Sequence, residues 1–172
     1  MRIIGGRWRG RPIAVPAKGA VRPTGDRVRE AWFSIIQFDL PGARVVDLCA
    51  GSGALGIEAL SRGASHVTFV DSAANSLATI ARTLESLGAD PASYAIVRSD
   101  AERFVATLTA GQFTLGFADP PYALPLAAAL CSAWRRAPFA TLFCVEHPSA
   151  IDLGDGGDRR QYGVAAISFF RG

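Results

Sequence analysis

The sequence predicts an α/β fold built on a mostly parallel sheet. Three observations carry that prediction. Short apolar runs alternate with helical periodicity along the chain, the first long run empties into a glycine-rich turn, and successive runs end in an aspartate. With 172 residues, 49% of them hydrophobic, the chain can bury one sizeable core and is too short for two ordinary domains. The expected division is a basic β-hairpin extension over residues 1–20 and a main domain over 21–172.

At the N-terminus, Arg2-Ile3-Ile4 and Pro12-Ile13-Ala14-Val15 flank Gly5-Gly6-Arg7-Trp8-Arg9-Gly10-Arg11, which reads as a hairpin with an Arg and Trp tip. An isolated hairpin is marginal in water, so it must lie against the domain or order on a ligand. Trp8 can stack on a base while Arg7, Arg9 and Arg11 meet phosphates, or it can pack back onto the domain. Eight cations, Arg2, Arg7, Arg9, Arg11, Lys18, Arg22, Arg27 and Arg29, face only Asp26 and Glu30 in the first thirty positions. The net charge is only +3, so the basic character is local and suits a phosphate backbone, with a solvated surface as the alternative.

The next segment, Arg22-Pro23-Thr24-Gly25-Asp26-Arg27-Val28-Arg29-Glu30, leads into a helix capped by Thr24 or Asp26. Val28, Ala31, Trp32, Ile35 and Ile36 give it an apolar stripe. A strand over 44–48 follows, then a turn, Ala50-Gly51-Ser52-Gly53, and a helix to about Ser61 with Gly63 as its terminator. Gly51 and Gly53 permit a tight turn close to a ligand, and Gly56 permits close helix packing. A second strand from His66 ends in Asp71, a helix fills 72–87, and a strand over 94–97 delivers Ser99-Asp100-Ala101 to a short helix over 101–109. Phe113 to Ala118 forms a strand running into Asp119-Pro120-Pro121-Tyr122. A helix over 125–136, a strand over 141–146 and an edge hairpin split by Gly163 complete the chain.

Parallel strands covered by helices bind ligands at their carboxyl ends, and Asp47, Asp71, Asp100 and Asp119 all fall there. The GxGxxG spacing with an acid about 20 residues on fits a dinucleotide or S-adenosylmethionine. Asp119-Pro120-Pro121-Tyr122 separates the two, because a nicotinamide enzyme has no use for it. Cys49, Cys131 and Cys144 have no paired spacing, so no disulfide framework or metal site is expected, and they read as buried fillers. His66 and His147 are expected to be structural. The chain has no apolar leader and no run near the roughly 20 residues needed to cross a bilayer, so a cytoplasmic setting without membrane contact is expected.

DLCAGSGALGIE, the acidic second-strand end and DPPY, in that order, resemble the class I S-adenosylmethionine-dependent methyltransferases of exocyclic amines. With MRIIGGRWRG and RPTGDRVRE in front, the chain is similar to the RsmD family, bacterial enzymes that methylate a guanine amine in small-subunit ribosomal RNA. The resemblance covers essentially the whole chain. It implies a Rossmann-like, mostly parallel seven-stranded sheet with an antiparallel edge hairpin, S-adenosyl-L-methionine as cofactor, and 16S rRNA in an assembling small subunit as partner of a monomer. It places the methionine part of the cofactor by Asp47, Ala50, Gly51, Ser52 and Gly53, the ribose on Asp71 and the adenine by Asp100 and Ala101. The segment with Thr24 and Arg27 would close over the cofactor, Asp119, Pro120 and Tyr122 would carry catalysis with Asp119 also touching the cofactor, and Arg7, Trp8, Arg9, Arg11 and Arg22 would engage RNA. Two departures bear on how RNA is held: Ala123-Leu124-Pro125 stands where relatives carry basic residues, and Gly154 to Asp158 replaces a longer helical segment. Competing readings are an adenine-amine methyltransferase, a nicotinamide oxidoreductase and a non-catalytic RNA-binding scaffold.

Overall fold

A computed structural model describes residues 1–16 and 25–172. Thr24 and Arg22 lie outside the described residues. Helix α1 spans Asp26–Ile35 and leads to β1 (Arg44–Asp47), α2 (Ala54–Ser61), β2 (His66–Asp71) and α3 (Ala74–Ser86). Then come β3 (Tyr94–Arg98), α4 (Ala101–Val105), β4 (Phe113–Ala118), α5 (Leu126–Arg136), β5 (Ala140–Pro148), β6 (Gly157–Tyr162) and β7 (Ala165–Arg171). The seven strands form one sheet in the order β3-β2-β1-β4-β5-β7-β6. The first five are mutually parallel, while β7 runs antiparallel to both β5 and β6. Strand order reverses between β1 and β4, so the adjoining loops part there and open a crevice at the carboxyl edge.

Successive residues of a strand face opposite sides, and both sides of this sheet are covered. Val45, Phe69 and Phe117 pack with Trp32, Phe33, Ile57 and Ile80 on one face. Val46, Val70 and Ala118 pack with Val105, Leu130 and Trp134 on the other. Gly56 lets α2 sit directly on β2, because a Cβ there would lie 2.3 Å from the Phe69 ring. Among the described residues no helix is long and apolar enough to cross a membrane.

The N-terminal segment has one antiparallel bridge, Arg2 to Pro12, rather than two paired strands. Its stability comes from docking on the last turn of α2, whose carbonyls have no partner within the helix. The Ser61 carbonyl accepts the Arg7 N–H at 2.8 Å, and the Ser61 hydroxyl accepts the Trp8 N–H at 3.0 Å. The buried Glu58 carboxylate accepts the N–H groups of Ile4 (2.9 Å) and Gly5 (2.8 Å) and the Arg62 Nε–H (2.7 Å). Ile3, Trp8 and Ile13 join the core on this face.

Three details of the sequence reading are corrected. The buried stripe of α1 is Arg29, Trp32, Phe33 and then Ile36, rotated from the expected one, and Ile35 is exposed. Arg29 fits the apolar stripe because its guanidinium is bound by the Arg2 carbonyl and by Asp26 at 3.1 Å. Asp26 therefore spends its side chain on that pair, and Gly25 occupies the cap position without a side-chain bond. Helix α4 is a single short turn and ends at Val105, and a 3-10 turn at Pro91–Ser93, held by Asp90 accepting the Ala92 N–H, precedes β3.

Candidate active site

The carboxyl edge collects the acids of separate strands. Asp47 closes β1, Asp71 closes β2, Asp100 follows β3 and Asp119 follows β4. All four raise the pKa of the Cys49 thiol, after burial as the first cause, which places them around one point. Cys49 is half-buried beside them and packs against the core, whereas Cys131 and Cys144 are fully buried. His147 is buried: its Nδ1–H meets the Pro148 carbonyl at 3.0 Å and its Nε2 accepts from Ser168 at 2.9 Å.

Asp47 is 1% exposed. One oxygen accepts the Gly56 N–H at 3.0 Å, and the other, Oδ1, is buried without a partner. Burial first, then the charges of Asp119 and Asp71, push its pKa up to about 7 against the pull of the Gly56 bond. Among the described residues Oδ1 lacks a partner, and once ionised this carboxylate would be stabilised by a nearby cation.

The glycine turn is built as the spacing predicts. Gly51 and Gly53 hold φ of 54° and 78°, and a Cβ on Gly53 would meet Ile80 at 2.9 Å. Ala50 is tied to β2 through the Val70 carbonyl at 3.0 Å. Asp71 Oδ2 locks the same turn by accepting the Gly51 N–H, while Oδ1 accepts the Ala73 N–H at the start of α3, both at 2.8 Å. The Asp100 side chain caps α4 by accepting from Glu102 and Arg103, and Ala101 is buried behind it. Ser52 is buried with its hydroxyl 4.0 Å from the Met1 sulfur, so the turn and the N-terminus touch. Arg27 is exposed on α1.

Beyond Ala118, Asp119 is half-buried and Pro120 buried. A cavity of about 110 Å³ opens alongside, lined by Pro120, Pro121, Tyr122, Leu124, Glu146 and Ile151 among others. Sequence reasoning missed Glu146. Ala118 pairs with Val145, so Asp119, just past the end of β4, follows the register beside Glu146, which lies within β5. Glu146 is 3% exposed and accepts the Tyr122 hydroxyl at 3.1 Å. Its only sequence signal was a carboxylate ending an apolar strand, the same signal that identified the aspartates.

The N-terminal tip is corrected in one respect. Trp8 is 8% exposed and joins the core, so its ring is not available to a base. Arg7, Arg9 and Arg11 remain on the surface, with the Arg7 guanidinium 4.0 Å above the Trp8 ring and Arg11 bonded to the Ser86 carbonyl at 2.9 Å.

A parallel sheet with this order, an acidic carboxyl edge, a glycine turn and an antiparallel β7 defines a Rossmann-like methyltransferase fold. Residues 1–142 match the family described as Conserved hypothetical protein 95. Over 182 aligned residues the chain is 32% identical to YlbH of Bacillus subtilis (strain 168), provisionally named an rRNA methyltransferase, covering 99% of this chain and 98% of that protein. It is 40% identical over 122 residues to Ribosomal RNA small subunit methyltransferase D of Escherichia coli (strain K12), covering 71% of this chain but 60% of that protein. The structure of the hypothetical protein TTHA0928 of Thermus thermophilus superimposes with a TM-score of 0.86 at 29% identity, covering 99% of both chains. The chain belongs to the Conserved hypothetical protein 95 family, that of the RsmD methyltransferases.

Proposed function

We propose that the protein methylates the exocyclic N2 of a guanine in 16S rRNA of the small ribosomal subunit, guanine 966 in the usual bacterial numbering, with S-adenosyl-L-methionine as methyl donor. The observation that carries this reading is the junction of two half-sites at Asp119: a ring of strand-end carboxylates on one side and a proline and tyrosine-lined cavity on the other. The cofactor fits the first half. Asp47 Oδ1 offers a buried acceptor to its ammonium group, the Gly51 to Gly53 turn leaves room for its backbone approach, and Asp71 and Asp100 stand where ribose and adenine follow.

When bound, S-adenosyl-L-methionine supplies an electrophilic methyl group on a sulfonium. The guanine amine is a weak nucleophile because its lone pair is delocalised into the ring. The Asp119 carboxylate and the Pro120 carbonyl each accept a hydrogen bond from that NH2, turning its lone pair toward the methyl and stabilising the positive charge that develops. The two prolines fix the turn so that both acceptors converge. Tyr122 holds the base for in-line approach. Asp119 or water then takes the proton released by the methylated nitrogen.

The surface arginines Arg7, Arg9 and Arg11, with Arg22, grip the phosphate backbone. The N-terminal extension works with one catalytic domain in a monomer, in the cytoplasm. An assembling subunit is the favoured substrate, because one small basic segment offers little surface for selecting a site unaided. Small subunits from cells lacking the protein, incubated with it and labelled S-adenosyl-L-methionine and digested for nucleoside mass spectrometry, test the proposal. Labelled N2-methylguanosine is expected. Labelled methyladenosine in its place would overturn the guanine assignment, and unlabelled RNA would overturn the substrate.

A further inference from the structure

We infer that Glu146 is a specificity-determining residue that reads the N1–H of the target guanine, an inference that rests on the guanine-amine reading above. Asp119 and Glu146 follow the paired residues Ala118 and Val145 on neighbouring parallel strands. Such strands lie about 4.8 Å apart, a distance that the edge of one purine spans. Glu146 lines the same cavity as Pro120 and Tyr122, so a base whose amine reaches Asp119 passes its adjoining ring atom to Glu146.

A carboxylate in that position accepts hydrogen bonds and donates none. In guanine the exocyclic amine is flanked by N1–H, a donor, and by N3, an acceptor, and only the N1–H edge suits a carboxylate. In adenine the ring nitrogen beside the amine is N1 without hydrogen, an acceptor, which a buried carboxylate repels. The tetrapeptide Asp119-Pro120-Pro121-Tyr122 can orient any planar amine, so it does not choose between the two bases. Glu146 does. The Tyr122 hydroxyl, donating to Glu146 at 3.1 Å, holds the carboxylate and the aromatic ring in one arrangement. Leu124 and Ile151, 54% and 40% exposed, give the cavity an apolar rim. Sites built to bond a buried polar group reject analogues that lack it far more strongly than apolar pockets reject a size change.

The test uses small subunits reconstituted with 16S rRNA in which the target guanosine is replaced by 2-aminopurine riboside. That base keeps the 2-amino group and lacks N1–H. Methyl transfer is measured for the wild-type protein and for Glu146→Gln on both substrates, with melting temperature and cofactor Kd recorded for each protein. Wild type is expected to favour guanosine by at least about tenfold in kcat/KM. In Glu146→Gln the guanosine rate falls while the 2-aminopurine rate holds, so the ratio collapses toward one with cofactor Kd unchanged. A wild type that treats the two bases equally overturns the inference, and this reading does not depend on how the variant folds. An undiminished ratio in Glu146→Gln overturns it as well. Wild-type label in methyladenosine would overturn the guanine reading together with this one.

Discussion

Asp47 shows how burial and neighbouring charge change a carboxyl group. Its carboxyl is protonated in the folded chain up to about pH 7 but ionises near 3.8 when exposed. Folded-state protons are therefore held that the unfolded chain has lost, so this group's contribution to stability is full below pH 3.8 and is lost as pH rises to about 7. Asp47→Asn keeps an acceptor for Gly56 and removes the buried charge, so its melting temperature should exceed that of wild type at about pH 8 and converge on it toward about pH 4. Cofactor affinity of the wild type should tighten as pH rises from about 6 to about 7.5, because the ammonium meets an ionised Asp47 only there, and the slope should vanish in Asp47→Asn. A wild-type Kd flat over that range would remove Asp47 from the cofactor seat. Both Asp71 oxygens already hold backbone N–H groups, that of Gly51 in the glycine turn and that of Ala73 at the start of α3, and the ribose role proposed for it comes on top of these. Asp71→Ala should weaken cofactor binding by at least about tenfold and lower the melting temperature, the freed donors costing about 1–3 kcal/mol each where they stay dry. An unchanged Kd in titration calorimetry would deny it the ribose role.

At the scale of elements, the turn-and-helix unit after β1 was legible because its glycines do a steric job that no other residue can. Gly53 adopts a left-handed φ against Ile80, and Gly56 admits Phe69 of the neighbouring strand. Strand-end aspartates were legible for a related reason: a carboxylate that stops an apolar run marks where a parallel strand meets solvent. Glu146 gave the same mark but carried no motif with it, and its register beside Asp119 depends on a pairing between strands that sequence spacing does not encode. The stripe of α1 was misread because Arg29 looks polar in a sequence, whereas its partners, the Arg2 carbonyl and Asp26, are assembled only by the fold. Trp8 left two options open, and the donors and acceptors of Ser61 and Glu58 decided between them. Docking of the N-terminal segment therefore turns on Glu58. Glu58→Ala strands the Ile4 and Gly5 N–H groups and Arg62, and should cost about 3 kcal/mol. Limited trypsin digestion should then cut at Arg7 or Arg9 well before the domain is degraded. Wild-type stability and an unaltered cleavage pattern would show that the segment is held by its apolar residues alone.

For the whole molecule, the sheet order brings the strand-end carboxylates and the Tyr122-lined cavity to one edge. Strands β1, β2 and β3 carry the carboxylates assigned to the cofactor, and β4 and β5 carry Asp119 and Glu146 toward the base cavity, with the reversal of strand order between the two sets. The two halves should then be separable by mutation, because Asp119 lies at the boundary while Asp47 and Asp71 lie on the cofactor side. The decisive measurement compares wild type with Asp119→Ala on small subunits from cells lacking the protein, under saturating labelled S-adenosyl-L-methionine, with cofactor Kd determined for each. The expected result is labelled N2-methylguanosine from wild type and, from Asp119→Ala, turnover lowered by at least about a hundredfold with Kd within about twofold of wild type. Wild-type turnover in Asp119→Ala, or loss of cofactor binding as the sole cause of its inactivity, would contradict the assignment of the amine to Asp119.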